Sequence, residues 1–437
     1  MEWPLALLIL FGCLVILMAT GMPVAFAFLV TCLTGSILFW GGLAGLEQLV
    51  MSIFGSVTTF SILPLPLFIL MGNIIFESGV GIKMVDAMDR IMGRFPARLS
   101  IVAILGGSLL GTMIGISGGT LAILGRTLVP EMRRRGYKNA MSVGPIVATG
   151  ALAVLIPPSA FAVFLGAIAE VSVGKLLIAI VPVGVLLAVS FCVYIIVRSV
   201  LQPSLAPSYE VSASLKDKLN ALVRYILPAG IVIFAAIGSV FVGIATPSEA
   251  AALGAIACYL LAAFYRKLGW QAVRKSASST MDITVMVFMI IVGSISFSQI
   301  LASSGAVRGL IDLTMSLDMP PLVIIIATLV VLLFLGALVD PASIVMITVP
   351  LFIPIVEALG FNTLWYAVLM LLSIQLGLIT PPFGLDVYTM KAIAPPDISA
   401  GDIFRSAMPF FGIAILVLAF IVAFPEIVLW LPGMMIR

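Results

Sequence analysis

The sequence predicts an all-α polytopic membrane protein, built as an inverted-topology repeat with two re-entrant helical hairpins and two broken transmembrane helices. Three observations predict this fold class. First, 62% of the 437 residues are apolar and only 41 are charged, 22 basic and 19 acidic, whereas about a quarter of a soluble domain is charged. Second, the charges form a few clusters, separated by uncharged stretches of about 20 residues, the length that spans a bilayer. Third, several motifs recur about 224 residues further along the chain.

Composition also excludes several classes of function. The chain contains no histidine, which excludes zinc or haem held by histidine and histidine-based acid–base catalysis. It has no P-loop motif for ATP and no HExxH motif of a metalloprotease. A net charge of +3 indicates no nucleic-acid partner. The four cysteines form no CxxC pair and do not indicate a compartment. We therefore expect a protein that is not an enzyme.

Ten apolar segments predict membrane crossings. Residues 1–20 lack the basic start and the small-residue cleavage site of a signal peptide, so we expect them to be retained as a helix. The ten segments are 1–20, 22–40, 57–78, 139–169, 176–198, 225–245, 247–265, 280–302, 364–394 and 406–430.

Two further apolar stretches, 99–132 and 320–353, are interrupted near their middles by Ile116–Gly119 and by Asp340–Ser343. Each half is about 16 residues long, or about 24 Å as a helix. Because this is too short to cross a bilayer comfortably, each stretch predicts a re-entrant hairpin that enters and leaves on one side.

The basic residues test this arrangement. Short loops rich in lysine and arginine stay in the cytoplasm. With ten crossings and two hairpins, 18 of the 22 basic residues fall on one side, and both termini fall on the other. If either hairpin were a full crossing, the basic clusters would lie on both sides.

An internal repeat joins the two halves. At an offset of 224 residues, Pro130–Tyr137 matches Pro354–Phe361, and Ile156–Ser159 matches Thr380–Phe383. The first copy of the former motif is basic, whereas the second contains Glu357 and no basic residue. We therefore predict inverted repeats over residues 1–200 and 225–437, joined by a cytoplasmic linker at 201–224. Inverted repeats with broken helices are the architecture of secondary transporters.

The proline pairs Pro157–Pro158 and Pro381–Pro382 lie in the middle of two long crossings. Proline interrupts the helical hydrogen bonds and frees carbonyl groups at membrane depth. Carbonyls freed in this way suit Na⁺. The alternative is a plain kink that neighbouring groups bridge.

Three polar residues lie within the hairpins. Ser117 is at the first tip, where helix N-termini favour anions, although a tight turn alone would also explain it. Asp340, at the second tip, is either a cation ligand or the N-cap of a helix that starts at Pro341. Arg126 is expected to bind an anionic substrate bidentately. Its alternatives are pairing with an acid such as Asp340, or reaching the cytoplasmic face.

Other polar residues are expected to have local roles. Thr246 and Glu249 predict a helix capping box. Asn73 and Gln299 are expected to form hydrogen bonds between helices. Asp386 and Lys391, five residues apart, are expected to pair with each other.

Five motifs together resemble one family, the large membrane subunit of tripartite ATP-independent periplasmic (TRAP) transporters of the DctM/SiaM type. They are Gly115–Gly118, Pro130–Tyr137, Ile156–Ser159, Thr246–Glu249 and Gly377–Pro382. The resemblance covers nearly the whole chain. It implies a Na⁺-driven importer of organic acids in the inner membrane of a bacterium or archaeon, where the distribution of basic residues predicts that both termini are periplasmic. It also implies an elevator mechanism, a small four-helix membrane subunit as partner, and a soluble periplasmic substrate-binding protein.

The resemblance also implies two Na⁺ sites, each between a hairpin and the break of the following crossing. By motif position, the first would use Ile114, Ser117, Ala153, Ile156 and Pro157, and the second Gly336, Gly377, Thr380 and Phe383. The substrate-binding residues that we expect are Arg126, Ser117, Ser159 and Asp340. The internal offset independently pairs Ala153 with Gly377 and Ile156 with Thr380. The chain departs from the family where Ala153 replaces a glycine.

Two other transport functions remain open at this point. A stand-alone Na⁺/dicarboxylate elevator symporter would have a similar inverted-repeat design but would need no partner. A passive channel would not need Na⁺-type sites at its broken helices.

Overall fold

The computed structural model describes residues 2–93, 95–115, 117–207 and 214–435, and over these ranges the chain is helical, without strands. Ile116 of the first predicted break, Arg94 of one basic cluster, residues 208–213 of the predicted linker and the terminal Arg437 lie outside the described residues. The prediction of an all-α chain is confirmed.

The helices are α1 (Trp3–Ala19), α2 (Val24–Phe39), α3 (Leu43–Val57), α4 (Pro64–Glu77), α5 (Val80–Met92), α6 (Arg98–Ile114), α7 (Ser117–Arg134), α8 (Asn139–Leu155), α9 (Ala160–Ile168), α10 (Val173–Leu201), α11 (Leu215–Ala221), α12 (Leu227–Phe241), α13 (Pro247–Phe264), α14 (Trp270–Ser303), α15 (Ala306–Ser316), α16 (Pro321–Gly336), α17 (Pro341–Ala358), α18 (Thr363–Gly377), α19 (Leu385–Ile393), α20 (Ala400–Ala423) and α21 (Glu426–Gly433). A π-helical turn, Leu222–Ile226, joins α11 to α12.

Seven helical segments within the described ranges are long and apolar enough to cross a membrane, or eight if α8 and α9 count as one bent span. Six of them coincide with predicted crossings, and the bent pair is a further one. The other three predicted crossings correspond to α1, α2 and α18, which have 17, 16 and 15 residues and fall below that length. The seventh long segment is α17, which was predicted as a hairpin arm, and α3 was not predicted at all.

Helix starts follow local chemistry. Glu249 and Thr246 form the predicted capping box at α13, in which the Thr246 N–H donates to Glu249 Oε2 at 2.7 Å. The oxygen therefore satisfies an amide that the helix leaves unpaired, and a proline at the first position costs no hydrogen bond. Asn362 caps α18 by accepting the N–H of Leu364 at 2.9 Å.

Both predicted hairpins consist of two helices packed together, and each is hydrogen-bonded to the helix that follows it. In the first, α6 packs on α7, and the hydroxyl of Ser100 near the start of α6 donates to the carbonyl of Met141 in the first turn of α8. In the second, α16 packs on α17, and the hydroxyl of Tyr366 donates to Thr328 Oγ1 at 2.8 Å, joining α16 to the helix that follows α17.

The two helices after the hairpins form the centre of the molecule. Every residue of α8 from Met141 to Leu155 and every residue of α18 from Leu364 to Gly377 is buried. Hairpin α6–α7 packs on α8, and hairpin α16–α17 packs on α18. Both central helices end at the proline pairs, where α8 bends by 49° into α9 and α18 gives way to α19 after residues 378–384.

The order of helices is the same in the two halves. Helices α1, α7 and α8 begin at Trp3, Ser117 and Asn139, and α12, α17 and α18 each begin 224 residues later. One difference is that α3 and α4 correspond to the single long helix α14. Both halves therefore present a hairpin, a central helix and a short helix after a proline pair.

Basic segments of the chain contact one another. Arg133 pairs with Asp397 at 2.6 Å, the Lys138 N–H donates to the Leu205 carbonyl at 3.0 Å, and Lys83 lies over the Tyr265 ring. Segments from both halves are thus in direct contact. Elsewhere, the loops with few basic residues also meet, because Gly174 lies beside Pro247 and Met435.

Candidate functional site

The two hairpin tips flank a cavity of about 250 Å³. Ser117 from the first tip, Asp340 and Pro341 from the second, and Gln375 from α18 line it, together with apolar side chains such as Phe161. Helices α7 and α17 begin at Ser117 and Pro341, so two helix N-termini face this space. The N-terminus of a helix attracts anions through its unpaired N–H groups and its dipole.

Two of the four predicted substrate residues, Ser117 and Asp340, line this cavity. Asp340 caps α17, where its carboxylate accepts from the Ser343 N–H at 3.0 Å and from the Ser343 hydroxyl. The structure therefore shows the capping role that the sequence left open. It does not pair Asp340 with Arg126.

The other two predicted substrate residues lie elsewhere. Ser159 is fully buried and caps α9 by accepting the Ala162 N–H at 3.2 Å. Arg126 is exposed, and it makes no ion pair or hydrogen bond with any residue that the structure describes. It lies nine residues beyond Ser117 on α7, or about 13 Å along the helix. No basic side chain in the described part of the chain lines the cavity.

The residues predicted for the second Na⁺ site come together where α16 and α18 end. A Cβ added to Gly377 would lie 2.4 Å from the Cα of Gly336, so the two backbones touch there. The Thr380 N–H donates to the Gly377 carbonyl at 2.9 Å, and the Phe383 N–H donates to the carbonyl of Ala337 at 3.3 Å. All four predicted residues thus belong to one junction between the second hairpin and the second break. The C-terminal ends of helices carry partial negative charge on unpaired carbonyls.

The residues predicted for the first Na⁺ site lie at an equivalent junction. Ile114 ends α6, and a Cβ added to the next residue, Gly115, would lie 3.2 Å from the Ala160 backbone nitrogen at the start of α9. Ile156 and Pro157 form the break between α8 and α9, and Ala153 lies one turn earlier on α8. The first tip therefore adjoins the first break.

Sequence reasoning missed Gly111 at this first junction. A Cβ added to Gly111 would lie 2.5 Å from the Cα of Ala153, just as one added to Gly336 would lie 2.8 Å from the Cα of Gly377. The internal offset came within one position of this residue, because Gly111 precedes Gly336 by 225 positions and the motifs repeat at 224. Its backbone contact is the counterpart of the Gly336–Gly377 contact.

Asp386 is the second residue that sequence reasoning missed. Its side chain is 3% exposed and accepts a hydrogen bond from the Ser117 hydroxyl at 2.9 Å. The predicted pair with Lys391 is wrong, because the ammonium of Lys391 instead donates to the carbonyls of Pro396 and Ile398. Asp386 and Ser117 are 269 residues apart, so no local pattern could have joined them.

The two mid-helix amides differ. Asn73 donates to Thr280 Oγ1 at 2.9 Å and so bonds α4 to α14, as predicted. Gln299 is exposed on α14 and has no side-chain hydrogen bond with any described residue, so its predicted bond between helices is not formed.

No group of three or more cysteine and acidic side chains in the described ranges could hold a metal ion. A cation in this protein would therefore depend on backbone carbonyls, hydroxyls and single carboxylates. Such oxygens are found at both junctions.

A comparison with known families identifies the chain. The family model described as "Tripartite ATP-independent periplasmic transporter, DctM component" matches residues 11–427. The chain belongs to the DctM family. The resemblance seen in the sequence motifs is thereby confirmed.

Curated relatives of this DctM protein match it almost end to end. The ectoine TRAP transporter large permease protein TeaC of Halomonas elongata is 27% identical over 96% of this chain and 97% of its own length. The C4-dicarboxylate permease DctM of Pseudomonas aeruginosa is 29% identical, over 89% and 90%. The sialic acid permease SiaM of Vibrio cholerae is 27% identical, over 97% of both chains. These relatives are named as permeases, which fits a protein that is not an enzyme.

Two solved structures share the fold of this DctM protein. The YdaH transporter of Alcanivorax borkumensis has a TM-score of 0.62 and 15% identity, over 87% of this chain and 89% of its own. MtrF of Neisseria gonorrhoeae, described among antimetabolite efflux pumps, has a TM-score of 0.62 and 13% identity, over 87% and 83%. At these identities the likeness concerns the fold alone. Both neighbours are membrane transporters, which agrees with the apolar helices of this chain.

Proposed function

We propose that this protein is the large membrane subunit of a TRAP transporter and imports organic acids by Na⁺-coupled secondary active transport across the inner membrane of a bacterium or archaeon. The observation that carries the proposal is the backbone contact between Gly336 and Gly377, where the C-terminal ends of α16 and α18 meet. Two negative helix ends facing each other at membrane depth favour a bound cation.

Two Na⁺ sites follow from the two junctions. Gly336, Gly377, Thr380 and Phe383 would hold one ion, and Ile114, Ser117, Ala153, Ile156 and Pro157 the other. The Thr380 hydroxyl donates to the Leu376 carbonyl at 2.7 Å, which leaves lone pairs of its oxygen available to a cation. Bound Na⁺ would supply the positive charge that converging carbonyls need, and the ion gradient would supply the free energy for uptake.

The cavity between the hairpin tips is the proposed substrate site. Two helix N-termini and the Ser117 hydroxyl would hold a carboxylate there, in the way that discontinuous helices hold anionic substrates. Arg126 does not line this cavity, and we propose that its unpaired guanidinium binds the anionic substrate on the same hairpin outside the cavity. Carboxylate chemistry agrees with relatives named for C4-dicarboxylate and sialic acid.

The proposed mechanism is an elevator. The hairpins and the broken helices pack on one another, and the Arg133–Asp397 ion pair ties the end of α7 to the segment after α19. We propose that this body moves against a scaffold of the remaining helices, and that the two halves are inverted repeats. The DctM family supports two partners, a small four-helix membrane subunit and a soluble periplasmic binding protein.

Uptake into proteoliposomes tests the proposal. The complex of this chain with its small subunit would be reconstituted into proteoliposomes. The binding protein and a radiolabelled carboxylate that the binding protein binds would then be added outside. We expect accumulation that requires an inward Na⁺ gradient and stops when K⁺ replaces Na⁺ or the binding protein is omitted. Uptake by this chain alone would instead indicate a stand-alone Na⁺/dicarboxylate symporter. Flux that is independent of Na⁺ would contradict the proposal and indicate a passive channel.

A further inference from the structure

Asp386 is a buried acid in the interior of the molecule. Its Oδ1 accepts a hydrogen bond from the Ser117 hydroxyl, while its Oδ2 has no hydrogen-bond partner among the described residues. Oδ2 lies against Gly150 of α8, where an added Cβ would come within 2.3 Å of it. Gly150 therefore leaves room for the carboxylate at the junction of the first hairpin, α8 and α19.

No described basic side chain neutralises this carboxylate. Helix α19 packs against α7, α8 and α20, and α8 carries no charged residue. On α7, Arg126 is exposed without an ion pair, Arg133 pairs with Asp397, and Arg134 pairs with Glu131.

The other charges nearby are equally occupied or remote. Lys391 on α19 bonds to two backbone carbonyls. On α20, Asp402 bonds to Ser399 at the helix start, and Arg405 is exposed without an ion pair to any described residue. A buried carboxylate with one hydrogen bond is costly unless a cation accompanies it. The neutralising positive charge must therefore come from outside the chain, either as a bound cation or as a proton on the carboxyl group.

The position of Asp386 indicates which cation this is. Its partner Ser117 is at the hairpin tip, and Gly150 lies one turn before Ala153 on α8. The carboxylate and the hydroxyl, 2.9 Å apart, are close enough for both to contact one small ion. Oxygen ligands of this kind suit hard cations.

We propose that Asp386 is a carboxylate ligand of the Na⁺ at the first hairpin, with Ser117 beside it. The proposal rests on the proposed Na⁺ coupling and adds a residue from the second half of the chain to a site otherwise built from the first. The residue at the corresponding place in the first half, 225 positions earlier, is Phe161, so the second junction has no equivalent carboxylate. Asp386 gives the first site a carboxylate ligand that none of the four residues proposed for the second site supplies, and the first site binds Na⁺ more tightly.

Binding of ²²Na⁺ to the purified complex of the full chain with its small subunit tests this inference without transport. Asp386→Asn keeps the shape and removes the charge, and Ser117→Ala removes the neighbouring ligand. We expect Asp386→Asn to weaken one Na⁺ affinity at least tenfold while a second site remains. Thr380→Ala should remove that second site instead, and Asp402→Asn, an acid outside the junction, should match the parent.

The outcomes separate two failures. If the parent complex binds no ²²Na⁺, the proposed Na⁺ coupling itself is wrong. If the parent binds ²²Na⁺ and Asp386→Asn binds it with the same affinity and stoichiometry, Asp386 has only a structural hydrogen bond and the inference is overturned. Retention of the Thr380-dependent site in Asp386→Asn shows that the variant is folded.

Discussion

Ser117 connects the two functions proposed for the first hairpin. Its hydroxyl donates to Asp386, and the residue also lines the cavity between the hairpin tips. A cation held at Ser117 and Asp386 would therefore change the tip that faces the substrate. Coupling between ion and substrate needs such a shared element. Each ligand must bind one conformation of the protein more tightly than another, and binding of the first ligand must favour the conformation that binds the second.

Arg126 is the residue whose predicted role can be tested most directly by transport. Arg126→Ala is expected to lower substrate uptake at least tenfold, because an unpaired guanidinium can bind a carboxylate through two parallel hydrogen bonds. The measurement is the initial rate of uptake into proteoliposomes as a function of substrate concentration. Copurification of the small subunit should be unchanged, since Arg126 contacts no described side chain through a hydrogen bond or ion pair.

The matched control for this variant is Arg405→Ala, which removes an exposed arginine without an ion pair from α20. It should transport like the parent. Kinetics of Arg126→Ala that equal those of Arg405→Ala would remove Arg126 from the substrate site, leaving the helix N-termini of α7 and α17 as its positive groups.

Residue chemistry could be predicted from the sequence wherever the partner was close along the chain. The Thr246–Glu249 capping box and the cap at Asp340 were visible, because each involves atoms three residues apart. The bond from Ser117 to Asp386 was not visible, since it depends on how α19 packs across α7. The wrong pairing of Asp386 with Lys391 had the same origin.

At the scale of elements, glycine decides how closely a hairpin approaches its central helix. Small residues allow membrane helices to pack through their backbones, and at Gly336 and Gly377 neither helix has a Cβ at the contact. The first half uses Gly111 against Ala153, so only one of its two contact residues is a glycine. At the second junction, a Cβ added to either Gly336 or Gly377 would therefore clash with the backbone of the other.

Gly377→Ala should separate α16 from α18. Its Cβ would lie 2.4 Å from the Cα of Gly336, and overpacking of this kind costs about 1–3 kcal/mol. We expect a lower thermal unfolding temperature in detergent and a weaker response of that temperature to Na⁺. Gly412→Ala on α20, where an added Cβ meets no atom within 4 Å, is the control and should behave like the parent. An unchanged Na⁺ response in Gly377→Ala would show that the cation lies elsewhere.

The sequence predicted most elements and failed where apolarity alone could not decide. Proline pairs and hairpin breaks interrupt hydrogen-bonded helices, so their positions were visible. Helix α3 was missed because Leu43–Val57 contains Glu47 and Gln48, together with glycines and serines that interrupt its apolar run. Helices α1 and α2 are apolar but shorter than the predicted segments, because they end at turns that hydropathy does not detect, whereas the predicted crossing 364–394 is divided at its proline pair into α18 and α19.

At the scale of the whole molecule, the charge distribution relates the fold to the membrane. The basic segments of both halves touch one another at one end, through Arg133–Asp397 and through Lys83 over Tyr265. Loops poor in basic residues meet elsewhere, where Gly174 lies beside Met435. Such separation is what the positive-inside rule requires of a protein whose basic end is cytoplasmic.

Labelling of single cysteines tests this orientation. Lys175 and Lys216 are both exposed, the first beside the loops poor in basic residues and the second in the linker helix α11. With the four native cysteines replaced, Lys175→Cys should react with a membrane-impermeant maleimide in intact cells whose outer layers are open to it. Lys216→Cys should react only after the membrane is permeabilised, because the positive-inside rule retains its segment in the cytoplasm. The reverse pattern would place the basic end outside the cell. Substrate and Na⁺ would then have to reach the cavity and both junctions from the side of the membrane opposite to the one that the proposed orientation gives.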